Sequence, residues 1–85
     1  MYNATLITPH IGQMITLELK RQRYSVTWLA RQICCNRSNA YKILARANLD
    51  TALLMRISVA LHHNFFYDIA QSPFLQQTIS NVATE

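Results

Sequence analysis

SVTWLARQICCNRSNAYKILAR, residues 25–46, holds two short apolar stripes, each preceded by a side chain that caps helices well. Ser25 opens the first stripe and Asn36 the second, and the oxygen of either can accept from an unpaired N–H of a first helical turn. Val26, Trp28, Leu29 and Ile33 give the first helix an apolar side, and Ala30 allows close approach to a neighbour. On the second helix, Arg37 through Arg46, residues Ala40, Ile43, Leu44 and Ala47 face inward, while Arg37, Ser38, Tyr41 and Lys42 fall on other faces. Cys34-Cys35 marks the reversal between them. A small residue at the crossing, apolar residues on both sides of it and a three- or four-residue turn make the pattern of a helix-turn-helix.

The flanking sequence continues in helices. Thr8-Pro9 has the form of a helix start, Thr as N-cap and Pro at the first helical position. Ile11, Ile15 and Leu19, with Met14 beside them, then form one stripe through Gln22. Gly12 either permits a close helix contact or is simply tolerated. Asp50 caps a fourth helix, Thr51 to Leu61, with Leu53, Leu54, Ile57, Ala60 and Leu61 inward; Asn64 caps a short fifth helix with Phe65-Phe66-Tyr67 and Ile69 packing on the bundle. Ser72-Pro73 begins a last helical turn or two carrying Phe74, Leu75 and Ile79. The expected architecture is an all-α, compact five-helix bundle: an arm over residues 1–8, a domain over 9–70 and a C-terminal extension over 71–85.

Composition agrees with that class. The 85 residues are 51% hydrophobic, with one Gly and two Pro, so a single domain can bury a core without staples. No apolar run approaches the ~18–20 residues of a membrane span, and the first ten residues do not have the form of a signal peptide, which points to the cytoplasm. Charge is uneven. Residues 1–46 carry seven cations against Glu18, a net of +6, and residues 47–85 carry Arg56 against Asp50, Asp68 and Glu85, a net of −2. A basic half that coincides with the motif suits a polyanion, because each neutralised phosphate releases counterions.

On Ile11-Gly12 with Ile15, Ser25, Leu29-Ala30, Asn36-Arg37-Ser38-Asn39, Ile43, and Ala60-Leu61 followed by Asn64, the chain resembles the lambda-repressor-like, Cro-type helix-turn-helix domains (the xenobiotic-response-element family) of transcriptional regulators. SVTWLARQ, NAYKI and HHNFF are similar to short Bacteroidetes-type members of that group. The resemblance covers about residues 10–70. It implies a five-helix bundle that binds double-stranded DNA, as a homodimer on two half-sites, with helix 37–46 in the major groove. It implies base contacts from Arg37, Ser38, Tyr41 and Lys42, with Arg37 suited to guanine O6 and N7 and Tyr41 to a thymine methyl or a phosphate. Phosphate contacts fall to Ser25, Thr27, Arg23, Lys20, Asn39 and Arg46. The chain departs from the family pattern in four places. Cys34 stands for the turn Gly, Val26 for a polar residue, Ala40 for a branched one and Arg23 for the Gly that often ends helix 1. Cys34 must therefore either accept a left-handed backbone or bend the turn differently.

Other readings of the same residues are blander. Tyr41 is open to a place in the core, Trp28 reads as a packing anchor, and Arg21 and Arg31 as solvated charges. The two cysteines are adjacent, in poor geometry for a disulfide, and read as buried reduced thiols filling the turn. His62-His63 has no carboxylate or Cys near it in sequence and is a poor metal set. No catalytic spacing and no cofactor or small-molecule motif is present, so an enzyme is not expected. The alternative to DNA binding is a protein-interaction module, antitoxin-like or an adaptor subunit, using the exposed part of Phe65–Tyr67 and the tail Phe74–Ile79.

Overall fold

The computed structural model describes residues 9–72. Within them the chain forms five helices and no strand: α1 (Ile11–Gln22), α2 (Val26–Gln32), α3 (Arg37–Leu44), α4 (Thr51–Leu61) and α5 (Phe65–Ala70). Ser25, Asn36, Asp50 and Asn64 cap α2 to α5 as the sequence predicts. Their side-chain oxygens accept from the N–H groups of Trp28 (3.0 Å), Asn39 (2.7 Å), Leu53 (2.7 Å) and Tyr67 (3.1 Å). The start of α1 differs from expectation. Its cap is His10, whose Nδ1 accepts from Gln13 N–H at 3.1 Å, so Pro9 precedes the cap instead of opening the helix. Thr8, the arm of residues 1–8 and the helical turns expected from Pro73 onward lie outside the described residues.

Three helices stop in the same way. Arg23, Cys34 and His62 take left-handed backbones, with φ of 64°, 58° and 51°. After each, the chain folds back so that two N–H groups satisfy the last carbonyls. At α2, Cys35 N–H donates to Ala30 C=O (2.9 Å) and Cys34 N–H to Arg31 C=O (3.3 Å); Tyr24 and Arg23 do the same at α1, His63 and His62 at α4. This is the Schellman arrangement, normally completed by Gly. Cys34 therefore accepts the left-handed turn, and in that position its side chain is exposed, with Cys35 half-buried and both thiols free. The expectation of two buried thiols is corrected at Cys34, which is exposed at the left-handed helix end, while Cys35 packs half-buried against the core. Cys34→Gly is expected to raise stability by about 0.5–1 kcal/mol, the relief of left-handed strain less the extra entropy of Gly in the unfolded chain. A fall in the urea midpoint would show that thiol packing outweighs that strain.

The chain's one glycine is used elsewhere. Ile11 and Gly12 N–H groups, two of the unpaired donors opening α1, donate to Ala47 C=O (2.9 Å) and Arg46 C=O (3.0 Å). A Cβ on Gly12 would lie 2.1 Å from Leu44 O and 2.6 Å from Arg46 O. Of the two readings of Gly12, close contact is the one realised. This seam also explains why α3 ends at Leu44 and not at Arg46. Ala45 N–H is shared between Tyr41 C=O (3.1 Å) and Lys42 C=O (3.3 Å), and Arg46 N–H turns to Ile43 C=O three residues back (3.1 Å), which tightens the chain and aims the next carbonyls at α1. Ala47, expected to face inward, is exposed for the same reason.

The core is Ile11, Ile15, Leu19, Leu29, Ile33, Leu44, Leu54, Ile57, Leu61 and Phe65, with Ala30 and Ala40 also buried. α3 packs on both α2 and α1, and α2 also packs on α4. Phe66, expected to pack inward beside Phe65, reaches the surface at 37% exposure. No helix among the described residues is long and apolar enough to cross a membrane.

Candidate nucleic-acid interface

Burial of Ala40 and Leu44 turns one face of α3 inward and leaves Arg37, Ser38, Asn39, Tyr41 and Lys42 exposed together on the rest of its surface. Tyr41 is 50% exposed and is not core. Arg37, at the first helical position, lies with its Cζ 5.5 Å from the centroid of the Tyr41 ring, one turn later. This contact brings together two of the residues expected to read bases. Arg46 is exposed just beyond α3, and its backbone is anchored under α1 by the Gly12 bond.

The residues expected on phosphates are all exposed, but they divide into groups. Arg23 and Ser25 lie in the α1–α2 corner, and Thr27 in the first turn of α2. Ser25 Oγ already accepts from Trp28 N–H, which leaves its hydroxyl proton available to an oxygen acceptor. Trp28 is half-buried and stacks face to face on Tyr24, with centroids 3.8 Å apart and planes 8° from parallel. Lys20 stands apart on the outer face of α1, beside Gln13, Thr16 and Leu17, in a hollow that no α3 residue lines.

The described carboxylates each have a hydrogen-bond partner within the fold. Among the described residues, Asp50 accepts from Leu53 N–H at the start of α4, and Asp68 Oδ2 lies 2.5 Å from His63 Nε2. Glu18, only 7% exposed, receives Arg21 Nε at 3.0 Å and also its Nη2, receives Gln22 Nε2 at 2.6 Å, and has His63 Nδ1 3.6 Å away. The Arg21 hydrogen bonds outweigh the burial that opposes ionisation. With help from Gln22 and the charge of His63, they hold the Glu18 carboxyl down at about 2 from an ordinary 4.5. The expectation that His62-His63 has no carboxylate nearby is corrected at His63, which meets Asp68, five residues on, and Glu18 across the fold. Among the described residues, Arg21 is the one Lys or Arg in an ion pair. Lys20, Arg23, Arg31, Arg37, Lys42 and Arg46 have no carboxylate partner there. The basic half of the chain therefore keeps most of its charge unneutralised at the surface.

Two contributors are missed by reading the sequence. Glu18 appears there only as a charge to subtract, although it falls three residues after Ile15, next to the apolar stripe, and three and four before Arg21 and Gln22. Arg56 reads as the lone cation of the acidic half. In the structure its Nη2 donates to Ile33 C=O at 2.6 Å, tying α4 to the end of α2 just before the Cys34 turn. Nothing local to Arg56 announces a partner 23 residues away. No protein-family model, curated protein or solved structure matches this chain.

Proposed function

We propose that this protein is a sequence-specific, double-stranded DNA-binding regulator of the lambda-repressor-like, Cro-type kind, acting in the cytoplasm as a homodimer without a cofactor or small-molecule ligand. α3 is the element that enters the major groove, and α2 lies across the backbone. The observation that carries this reading is the pairing of charge and shape at α3. Arg37, Ser38, Tyr41 and Lys42 are exposed on a helix capped at its start, and the neighbouring cations lack carboxylates while every described carboxylate is engaged internally. Ser38 and the long cations are the side-chain types that reach base edges, and Arg23, Ser25, Thr27, Asn39 and Arg46 suit phosphate oxygens. Lys20 belongs to the wider positive field more than to the contact surface.

The test is selection of bound duplexes from a random pool, followed by affinity measurements across salt. Log affinity is expected to fall linearly with log salt, with a slope of about −0.9 per phosphate neutralised. Arg37→Ala is expected to weaken the selected site by about 5- to 150-fold and to relax preference at one position. Arg23→Ala is expected to weaken all duplexes alike and to flatten the salt slope by about one. A protein that retains no duplex at ~50 mM salt, where phosphate contacts are strongest, sinks the proposal. Exposure of Phe66 (37%) and Tyr67 (60%) on α5 favours the second reading, a protein-interaction module that keeps the fold without binding DNA. The tail Phe74–Ile79 that it also invokes lies outside the described residues.

A further inference from the structure

The contact between Arg37 and Tyr41 has a meaning beyond two separate base contacts. An exposed arginine at the first position of a helix ordinarily samples many rotamers, and ordering it on a base costs entropy. Here the guanidinium is already drawn over the Tyr41 ring at 5.5 Å, and neither side chain has an ion-pair partner among the described residues. The ring attracts the cation electrostatically, Arg37 stays exposed, and the edge of the guanidinium carries the paired donors. That edge matches guanine O6 and N7. The ring is half-exposed beside it and offers carbon atoms, which match the 5-methyl group of thymine and no other group on a major-groove edge. The separation of the two groups decides how far apart their targets lie. At 5.5 Å it falls between one base-pair rise and two, each rise being about 3.4 Å.

We propose that Arg37 and Tyr41 act as one composite reader for a guanine with a thymine one or two base pairs away, Tyr41 both positioning the guanidinium and recognising the thymine methyl. This rests on the DNA-binding reading of α3 and adds to it a base composition and a coupling between two residues. Without the coupling, the pair is only a surface contact that steadies one helix turn.

Thymine can be replaced by deoxyuridine, which removes the methyl and changes nothing else on the base edge. The experiment uses the full chain and the duplex selected by it, with deoxyuridine placed in turn at each thymine within two base pairs of the guanine that Arg37→Ala ceases to prefer. The wild type is expected to lose about fourfold in affinity at one such position, the effect of one buried methyl. Tyr41→Phe, which keeps the ring, is expected to lose the same. Tyr41→Ala is expected to bind more weakly than wild type and to be indifferent to deoxyuridine, and adding Arg37→Ala to it is expected to cost less than Arg37→Ala costs alone. Circular dichroism on each variant separates these effects from loss of the helix. A wild type that binds a selected site but tolerates deoxyuridine everywhere overturns the composite reader and leaves the DNA reading intact. So does independence of the Tyr41→Ala and Arg37→Ala losses. A wild type that retains no duplex at low salt overturns both.

Discussion

Gly12→Ala is expected to destabilise the protein by about 3 kcal/mol or more, a large part of its total stability. The substitution favours α1 by helix propensity, about 1 kcal/mol, so intrinsic preference alone would make it stabilising. The fold reverses that sign. The new methyl would lie 2.1 Å from Leu44 O and 2.6 Å from both Arg46 O and Leu44 C, all backbone atoms that cannot rotate away. α1 must back off from the end of α3, and the bonds from Ile11 N–H to Ala47 C=O and from Gly12 N–H to Arg46 C=O lengthen together. The expected cost is about 3 kcal/mol or more, the upper part of the range for overpacked sites plus two strained hydrogen bonds. A domain of this size has about 5–10 kcal/mol in all. Urea unfolding followed by circular dichroism measures the loss. Gln13→Ala, on the exposed side of the same turn, is expected to stay within about 0.5 kcal/mol of the parent. A Gly12→Ala protein as stable as the parent would mean that the α1–α3 seam is not closed as described.

Acid is expected to weaken the fold through Glu18. Its carboxyl ionises at about 2 in the folded protein and at 4.5 as a free side chain, so the unfolded chain takes up the proton first. The stability it contributes is complete above about pH 5 and is lost as pH falls from there toward 2. The gap between the two values corresponds to at most about 3 kcal/mol. Because the Arg21 side chain is 68% exposed and solvent screens the pair, about 1–2 kcal/mol is the better expectation. Glu18→Gln keeps the shape and removes the titration. Its urea midpoint is expected to lie below that of the parent at pH 7 and to approach it by pH 2–3. Two curves that stay parallel over this range would remove Glu18 from the acid response.

What could be read in advance, and what could not, follows the range of each interaction. Ser25, Asn36, Asp50 and Asn64 cap their helices through bonds three residues long, and such bonds are written in neighbouring letters. The outward set on α3 was equally legible, since Ala40 and Leu44 fix which face is buried and helical periodicity does the rest. His10 in place of Thr8-Pro9 was not legible. The start of α1 depends on carbonyls at Arg46 and Ala47, and those donors needed no Thr to satisfy them. Cys34 lay between the two kinds. Its spacing marked the turn, but only the packing of α3 against α2 decided that it would take a left-handed backbone. Gly12 was ambiguous because its reason is a backbone more than 30 residues away, at Leu44. Glu18 was half legible: its helical neighbours were in view, but His63 was not.

The stacked Tyr24–Trp28 pair gives the protein an internal optical probe. Trp28 is the only indole in the chain, so emission excited at its absorption edge comes from one place. Its ring is held 3.8 Å from the Tyr24 phenol and half-shielded from water, whereas in an unfolded chain it is surrounded by solvent. Tyr24 belongs to the left-handed stop of α1 and Trp28 to the first turn of α2, so the signal reports the corner between those helices directly. Arg23 and Ser25 occupy the same corner, which puts an unlabelled fluorophore within a few residues of the groups expected to meet phosphate. The same cuvette can therefore follow unfolding and test for the arrival of a polyanion, without attaching anything to the two free thiols.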